Sequence, residues 1–213
     1  MKKVGVIGSG MVGEVLANGF LKHGYAVVRA SRDPSKLQAW KEGAGPNATT
    51  GTFADAAAAD LVVLAVKGTA AEEAVALAGA GLSGKLVLDA TNPIAEAPPV
   101  DGVLSFFTGP NDSLMERLQK KVPTAHFVKA FSCVGNAQMV NPDYGGTRPS
   151  MFICGDEAAA KAEARAILDT FGWDTEDMGK ATAARAIEPL CILWCISGFL
   201  QNRWTHAFKV LTK

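Results

Sequence analysis

Short runs of branched apolar residues recur along the chain, separated by longer segments with a helical period. The runs lack the polar–apolar alternation of a half-exposed strand, which indicates burial on both faces. We predict strands over residues 4–7, 26–30, 61–66, 85–89, 126–131 and 150–154, and helices over 11–23, 34–42, 69–79, 112–121 and 157–171. This order predicts a doubly wound α/β fold, in which helices cover both faces of a parallel sheet and the crossovers are right-handed.

Alanine-rich stretches and the C-terminal part complete the predicted secondary structure. Alanine favours helix and allows close approach to a sheet, so residues 54–59 and 70–80 are predicted as short helices. The acidic segment 174–177 is predicted as a solvated turn. Residues 180–213 hold one proline and one glycine and predict one or two long helices. We therefore divide the chain into a main domain, 1–178, and a C-terminal helical extension, 179–213.

The longest uncharged apolar run, PLCILWCISGFL at 189–200, is shorter than the roughly 20 residues that span a bilayer. We interpret it as a buried or interfacial helix. The start, MKKVGVIGSG, has too short an apolar stretch for a signal peptide. The sequence therefore predicts a cytoplasmic protein.

Charge and composition exclude several classes of function. The 213 residues include 21 lysines and arginines and 21 aspartates and glutamates. A formal net charge of zero argues against a nucleic-acid binder, which needs a basic surplus. The three histidines show no zinc-ligand spacing, and we predict no metal site. The four cysteines lie in apolar stretches and are predicted to be buried thiols.

The glycines of GSGMVG, Gly8, Gly10 and Gly13, directly follow the first predicted strand and open a helix. This GxGxxG spacing in this context is typical of a dinucleotide-binding Rossmann fold. Gly8 allows a tight turn, Gly10 lets a pyrophosphate approach the backbone, and Gly13 lets the helix pack on the strand. Free N–H groups at the helix start would face the phosphates. We therefore predict that residues 1–178 bind a dinucleotide.

The end of the second predicted strand indicates which dinucleotide binds. An NAD site usually has an aspartate or glutamate there for the ribose 2′-hydroxyl, but this chain has Ser31 and Arg32. Ser31 can donate to a 2′-phosphate, Arg32 can pair with it and stack on adenine, and Lys36 adds a second charge. Asp33 is predicted to cap the next helix. These residues favour NADP(H).

Ligands in such sheets lie outside the carboxyl ends of the strands, so later strand ends supply further candidates. Val66 is a candidate wall for the nicotinamide, and Lys67 either approaches a phosphate or ribose or ends a loop. Asn92, before Pro93, either binds the nicotinamide carboxamide or ribose or forms an ordinary turn. The next strand ends in Ala130, Phe131, Ser132 and Cys133. No histidine is near Cys133 in sequence, which favours packing over nucleophilic chemistry.

Several motifs in this order resemble one family of reductases. They are GSGMVG at 8–13, SRDPSK at 31–36, DATNP at 89–93, VKAFSCVG at 128–135, FICGDEAAAK at 152–161 and RAIEPLCILW at 185–194. The chain resembles, over nearly its whole length, the NADPH-dependent reductases of the deazaflavin coenzyme F420. Its nucleotide domain is also similar to that of the STEAP metalloreductases.

The resemblance implies roles for particular residues. Ser9, Met11 and Val12 would line the pyrophosphate turn. Ser31, Arg32 and Lys36 would hold the 2′-phosphate, and Val66 and Asn92 would flank the nicotinamide. The family also implies a homodimer whose C-terminal helices help to shape the pocket of the second cofactor; the predicted substrate pocket comprises Phe131, Ser132, Cys133 and Pro189. Many members have KAFNT where this chain has KAFSC at 129–133. Arg148, Lys180 and Arg185 are candidates for a basic groove.

The functional hypothesis is an NADP(H)-dependent oxidoreductase that transfers a hydride between NADP(H) and a deazaflavin or a similar ring-shaped partner. The cofactors carry this chemistry and the protein orients them, so no catalytic residue is predicted. Two alternatives stay open. One is an NADPH-dependent reductase of a flavin, an imine or a chelated metal, and the other is a sensor that binds NADP(H) without turnover.

Overall fold

Eight strands form two sheets in the computed structural model, which describes all 213 residues. The larger sheet has six parallel strands: β1 (Lys3–Ile7), β2 (Ala26–Ala30), β3 (Ala48–Gly51), β4 (Leu61–Leu64), β5 (Leu86–Asp89) and β6 (His126–Lys129). The smaller sheet pairs β7 (Ser150–Ile153) with β8 (Asp174–Asp177). The helices are α1 (Met11–Lys22), α2 (Gln38–Gly43), α3 (Phe53–Ala57), α4 (Gly68–Ala78), α5 (Leu114–Lys121), α6 (Ala158–Thr170), α7 (Ala184–Ile187) and α8 (Leu190–Gln201).

The strand order of the large sheet, β3-β2-β1-β4-β5-β6, confirms the predicted doubly wound fold. β1 pairs with β2 on one side and with β4 on the other, so the order of strands reverses between β1 and β4. Ligands of such sheets bind at the carboxyl ends of the strands beside this reversal. The glycine turn after β1 and the residues after β4 therefore share the expected binding edge.

Hydrophobic cores of similar size, 24 and 22 buried residues, cover the two faces of the sheet. In β4, Leu61 and Val63 belong to the first core, and Val62 and Leu64 belong to the second. Helices α1 and α6 pack on the first face, and α3, α4 and α5 pack on the second. This two-sided burial is the reason why the strands show no alternation in the sequence.

The alanine-rich segment at 54–59 forms most of α3, as predicted, and packs very close to the sheet. A Cβ atom on Gly5 of β1 would stand 2.0 Å from the carbonyl oxygen of Ala56. Only a residue without a side chain leaves room for the helix backbone at this point. The small residues in both elements therefore set the distance between α3 and the sheet.

Two strands differ from the sequence predictions. β3 was not predicted: it is the edge strand ATTG, and two of its four residues are not buried. The prediction of a solvated turn at 174–177 is wrong, because this segment forms β8. Its acidic side chains have partners: Lys209 pairs with Asp174, Lys161 pairs with Asp177, and Ser150 donates to Glu176.

The prediction of helices through to the C-terminus is wrong beyond Gln201. Asn202 has a left-handed φ of 52° and ends α8, and residues 202–213 contain no helix or strand. This tail folds back along β7. The Ser150 N–H donates to the Phe208 carbonyl at 2.9 Å, and the Val210 N–H donates to Ser150 Oγ at 3.1 Å.

By length and composition alone, the helical stretch Ala181–Gln201, 21 residues, is long and apolar enough to cross a membrane. Core helices of globular proteins meet the same criterion. Here the stretch carries a buried carboxylate, Glu188, and packs Cys191 and Trp194 against the rest of the chain. It leaves Leu193, 56% exposed, and Leu200, 61% exposed, on its outer face.

Candidate dinucleotide site

The glycine turn lies against the end of β4, at the reversal of strand order. A Cβ atom on Gly8 would stand 2.3 Å from the carbonyl oxygen of Ala65, and one on Gly13 would stand 2.4 Å from the carbonyl oxygen of Gly8. Neither position leaves room for a side chain, which agrees with the tight turn expected at Gly8 and the close packing expected at Gly13. Gly10 has open space where its Cβ would be, so its exposed backbone is free to meet a ligand.

The turn opens helix α1, whose N-terminus carries no side-chain cap. Ser9, Gly10 and Met11 are exposed there. Uncapped N–H groups and the positive end of a helix dipole attract anions. One residue beneath this turn was missed by sequence reasoning: Arg29 of β2 is buried under it. The sequence feature that could have identified Arg29 is a charged residue within the otherwise apolar strand AVVRA.

A cavity of about 330 Å³ lies beside the turn and contains the predicted 2′-phosphate residues. The predicted residues that line it are Ser9, Gly10, Ser31, Arg32, Lys36, Val66 and Lys67. Ser31 Oγ accepts from the Asp33 N–H at 3.2 Å, which leaves its hydroxyl proton free for a ligand. The side chains of Arg32, Lys36 and Lys67 bring three positive charges to this cavity, which suits a phosphate dianion.

Two carboxylates also line this cavity. Asp33 caps the turn Pro34–Leu37, as predicted: its Oδ1 accepts from Ser35 N at 3.2 Å and from Ser35 Oγ at 2.6 Å. The Ser35 hydroxyl lowers the pKa of Asp33. The second carboxylate, Glu73 of α4, was not identified from the sequence, and it stands 3.5 Å from Arg32. Helix α4 is distant in sequence from Arg32, so no local signal pointed to it.

A second, less polar cavity of about 670 Å³ continues from the first. The two share the lining residues Val66 and Lys67, so they adjoin along the carboxyl edge of the sheet, and we call the pair of cavities the groove. Val12, Ala90 and Asn92 line the second cavity, beside the loop 94–98. Met11 stands exposed at the start of α1 and lines neither cavity.

Asn92 is held at the edge of this cavity with part of its amide unused. Its Nδ2 donates to the Ser132 carbonyl at 2.9 Å, whereas its Oδ1 is buried without a partner. The Ser132 hydroxyl is also buried and unpartnered. Buried polar atoms are rarely left unpaired in folded proteins. A carboxamide with both donors and acceptors, such as that of nicotinamide, is chemically suited to this pair.

A buried ion network fixes the loop that carries Asn92. Lys129 Nζ lies 2.8 Å from Asp89 Oδ2 and 2.9 Å from Glu188 Oε1, and it donates to the Thr91 carbonyl at 2.8 Å. Glu188 accepts from the first two N–H groups of α5, at 3.0 Å each. Asp89 accepts from the Thr91 N–H and hydroxyl. Sequence reasoning missed this network, although each member is a charged residue within an apolar stretch.

The remaining predicted residues lie outside the groove in this structure. Ala130, Phe131 and Cys133 are buried, and Pro93 packs next to Gly68. Phe131 has a left-handed φ of 60°, which turns the chain out of β6 two residues earlier than predicted. Burial raises the pKa of Cys133 to about 12, so the thiol is protonated at neutral pH. Pro189 lines a separate cavity of about 210 Å³, so the structure does not bring the predicted substrate-pocket residues together.

The three candidates for a basic groove bind carboxylates or a backbone carbonyl outside the groove. Arg148 pairs with Asp169 and Asp174, and Lys180 donates to the Asp156 carbonyl. Arg185 pairs with Glu116. None of the three lines the groove, so the structure does not bring these candidates to it.

Another cavity of about 670 Å³ lies at the opposite edge of the sheet, at the start of β6. Two of its polar side chains bond to the backbone: Gln119 bonds to Ala125 and Phe127, and Asp156 accepts from the Ala181 N–H. It is the amino-terminal edge, where ligands of such sheets do not bind. No group of three or more histidine, cysteine, aspartate or glutamate side chains is arranged to hold a metal ion.

Comparisons with known proteins agree with this geometry. The family model described as "NADP oxidoreductase coenzyme F420-dependent" matches residues 3–93. The chain is similar to a protein of Arthrobacter sp. FB24 provisionally assigned as an F420-dependent NADP-reductase, with 32% identity, full coverage of both chains and a TM-score of 0.92. It is also similar to the hypothetical protein SMa0349 of Sinorhizobium meliloti, with 26% identity, a TM-score of 0.76 and coverage of 88% and 90% of the two chains.

Similarity extends to two larger proteins. The chain is 27% identical to Metalloreductase STEAP3 of Rattus norvegicus over 190 residues, which are 88% of this chain but 36% of that protein. It therefore spans about a third of the length of this curated relative. An imine reductase of Streptomyces aurantiacus shares 20% identity and a TM-score of 0.66 over 90% of this chain and 61% of its own, which shows a common fold.

The resemblance drawn from the sequence motifs is confirmed by these comparisons. The full-length similarity to the Arthrobacter protein exceeds what a shared nucleotide-binding domain alone would give. The chain belongs to the coenzyme F420-dependent NADP oxidoreductase family, as an NADP-binding oxidoreductase with a Rossmann fold.

Proposed function

We propose that this protein transfers a hydride between NADP(H) and a deazaflavin of the coenzyme F420 type. The nicotinamide, when bound, supplies the hydride or accepts it. In the proposed arrangement, the glycine turn binds the pyrophosphate, and Ser31, Arg32 and Lys36 bind the 2′-phosphate. Val66 and Asn92 orient the nicotinamide at the junction of the two cavities.

The proposal is supported above all by the two adjoining cavities. The 330 Å³ cavity ends at Val66 and Lys67, where the 670 Å³ cavity begins. A flat redox partner in the second cavity would therefore lie next to a nicotinamide at the end of the first. Holding two reacting carbons in contact in a sheltered site provides much of the rate of such a transfer.

The chemistry available in the second cavity fits a direct transfer between two carbon centres. Its only charged lining residues are Lys67 and Glu96, and no histidine or cysteine lines it. A reaction that must protonate a nitrogen or oxygen in the transition state needs a positioned acid. No hydrogen bond joins Lys67 to Glu96, the two charged side chains of this cavity, as a positioned acid–base pair would require.

An acceptor panel tests the proposal. Purified protein is mixed with NADPH and, in separate reactions, with F420, flavin mononucleotide, riboflavin, a cyclic imine and a ferric chelate. We expect the near-ultraviolet absorbance of NADPH to fall fastest with F420. Tight NADPH binding without turnover of any acceptor would contradict the proposal and favour a sensor.

The likeness to Metalloreductase STEAP3 favours a second candidate function. In it, the chain would reduce a flavin with NADPH, and the flavin would pass electrons to a chelated metal. Reduction of the ferric chelate only when flavin is added, together with no reaction with F420, would support this candidate.

We propose in addition that two copies of the chain pair through their C-terminal helices. Helix α8 exposes Leu193, Phe199 and Leu200, and Val100 and Val103 are exposed beside it. A Cβ atom on Gly102 would stand 2.9 Å from Leu200 Cγ, so the loop 100–103 adjoins the helix. We call these five apolar side chains the α8 patch; an exposed patch of this kind is typical of an interface.

A further inference from the structure

Arg29 lies in β2 with 1% of its surface exposed, directly beneath the glycine turn. Its guanidinium donates to three successive carbonyls, those of Gly8, Ser9 and Gly10, at 3.3, 2.9 and 3.1 Å. Its Nη1 lies 3.0 Å from Glu14 Oε2. One buried side chain therefore spans the whole turn at which a pyrophosphate would bind.

We propose that Arg29 is a positioning residue, which orients the turn toward a dinucleotide pyrophosphate and holds a positive charge beneath it. This inference rests on the proposed NADP(H) site. It extends that site by a residue that would not touch the ligand and would act through the backbone.

The orientation follows from the planarity of the peptide unit. The carbonyl and the next N–H of a trans peptide point in opposite directions. Because Arg29 holds the carbonyls of Gly8 and Ser9 inward, the N–H groups of Ser9 and Gly10 point away from it. These two N–H groups donate to no atom of the protein, and both residues line the 330 Å³ cavity. Free backbone donors at a helix start are suited to a phosphate.

The charge beneath the turn is only partly neutralised. The Glu14 side chain is 50% exposed, so water screens its carboxylate, whereas the Arg29 side chain is 2% exposed. The ring of Trp40 covers the guanidinium at 5.2 Å. Burial lowers the pKa of Arg29 and the Glu14 carboxylate opposes this change; arginine nevertheless stays protonated at neutral pH.

The affinities of three ligands distinguish a positioning role of Arg29 from a general effect on folding. NADP⁺ carries both the pyrophosphate and the 2′-phosphate, NAD⁺ carries only the pyrophosphate, and adenosine 2′-phosphate carries only the 2′-phosphate. We expect Arg29→Met to weaken NADP⁺ and NAD⁺ by the same factor, about ten-fold or more, because the lost contacts are charge-assisted. Adenosine 2′-phosphate should bind with unchanged affinity.

The matched control is Arg32→Ala, which should weaken NADP⁺ and adenosine 2′-phosphate but spare NAD⁺. Titration calorimetry measures all three ligands, and circular dichroism checks the fold of each variant. Wild-type affinity of Arg29→Met for NAD⁺, or an equal loss for all three ligands, would overturn the proposal.

Glu14→Gln tests the charge if Arg29→Met does not fold, since Glu14 is half exposed. It should tighten NADP⁺ and NAD⁺ equally, about two-fold, and leave adenosine 2′-phosphate unchanged; unaltered dinucleotide affinity would overturn the proposal. These are binding measurements without an acceptor, so they give the same answer whether or not the proposed deazaflavin reaction is observed.

Discussion

Arg32 faces Glu73 at 3.5 Å across the cavity assigned to the 2′-phosphate, and both side chains are more than half exposed. Replacing Arg32 by alanine should weaken NADP(H) by about 2 kcal/mol, roughly 30-fold in Kd, because a charge-assisted contact is lost. NAD(H) lacks the phosphate and should be unaffected. Titration calorimetry with both dinucleotides measures this, with Arg165→Ala, on the distant helix α6, as the control. An equal loss for both dinucleotides would show that Arg32 does not meet the phosphate.

Glu73 places a second carboxylate where the proposed ligand brings negative charge. Glu73→Gln should therefore strengthen NADP(H) binding by roughly 0.5 kcal/mol, the size of an exposed charge interaction. The effect should shrink at high salt, because exposed charges are screened. Glu163→Gln makes the same change of net charge on α6. If both variants bound NADP(H) more tightly by the same factor, the cause would be the net charge, which would contradict a local role for Glu73.

The sequence pointed to candidate residues that lie close together in the chain. It did not point to residues whose partners come from other elements. The sequence grouped Ser31, Arg32 and Lys36 because the end of one strand and the start of the next helix carry them together, and the structure brings all three to one cavity. Glu73 meets Arg32 only after the fold brings α4 beside the turn that follows β2. Arg29 was overlooked because three of its hydrogen-bond partners are backbone carbonyls, which no side-chain motif reports.

The buried network of Lys129, Asp89 and Glu188 joins β5, β6 and the residue that follows α7 to the N-terminus of α5. Lys129→Met leaves two carboxylates in the core without their cation, so we expect a loss of about 3–5 kcal/mol of unfolding free energy. Urea denaturation measures this. The control Lys161→Met removes a more exposed pair with Asp177, and should cost about 1 kcal/mol or less. A similar cost for both variants would contradict a structural role for the network.

The same network determines the pH range over which the Lys129 charge stabilises the folded protein. Burial alone would lower the pKa of Lys129, but Asp89 and Glu188 outweigh burial and raise it. A raised pKa in the folded state gives a stabilisation that is complete below the unfolded value and is lost as pH rises through the folded value. The charge of Lys129 should therefore contribute the same stabilisation to the wild type from about pH 6 to about pH 9.

Most elements of the large sheet could be predicted from apolar runs, because their strands are buried on both faces. β3 could not, because it is a short, half-exposed edge strand with two threonines. β8 could not either, since its acidic residues are paired with Lys161 and Lys209 from distant segments. The tail beyond Gln201 has a helical composition, but its contacts with Ser150 and the stacking of His206 on Trp194 hold it in an irregular conformation.

The α8 patch gives the molecule an apolar surface that a single chain leaves in water. If it pairs two copies, Leu193→Glu with Leu200→Glu should halve the mass measured by light scattering, since two charges would be buried in the interface. Leu77→Glu, on α4 and 51% exposed, makes the same substitution outside the patch and should leave the mass unchanged. A wild-type protein with the mass of one chain would contradict the pairing.

Direct hydride transfer is tested by a single turnover with NADPH that carries deuterium at the transferable position of C4. If the groove holds a nicotinamide against a deazaflavin, we expect the deuterium to appear on the carbon of reduced F420, without exchange with water. Mass spectrometry of the product measures this. Reduced F420 without the label, or no reduction of F420 while NADPH is bound, would contradict direct hydride transfer in this groove.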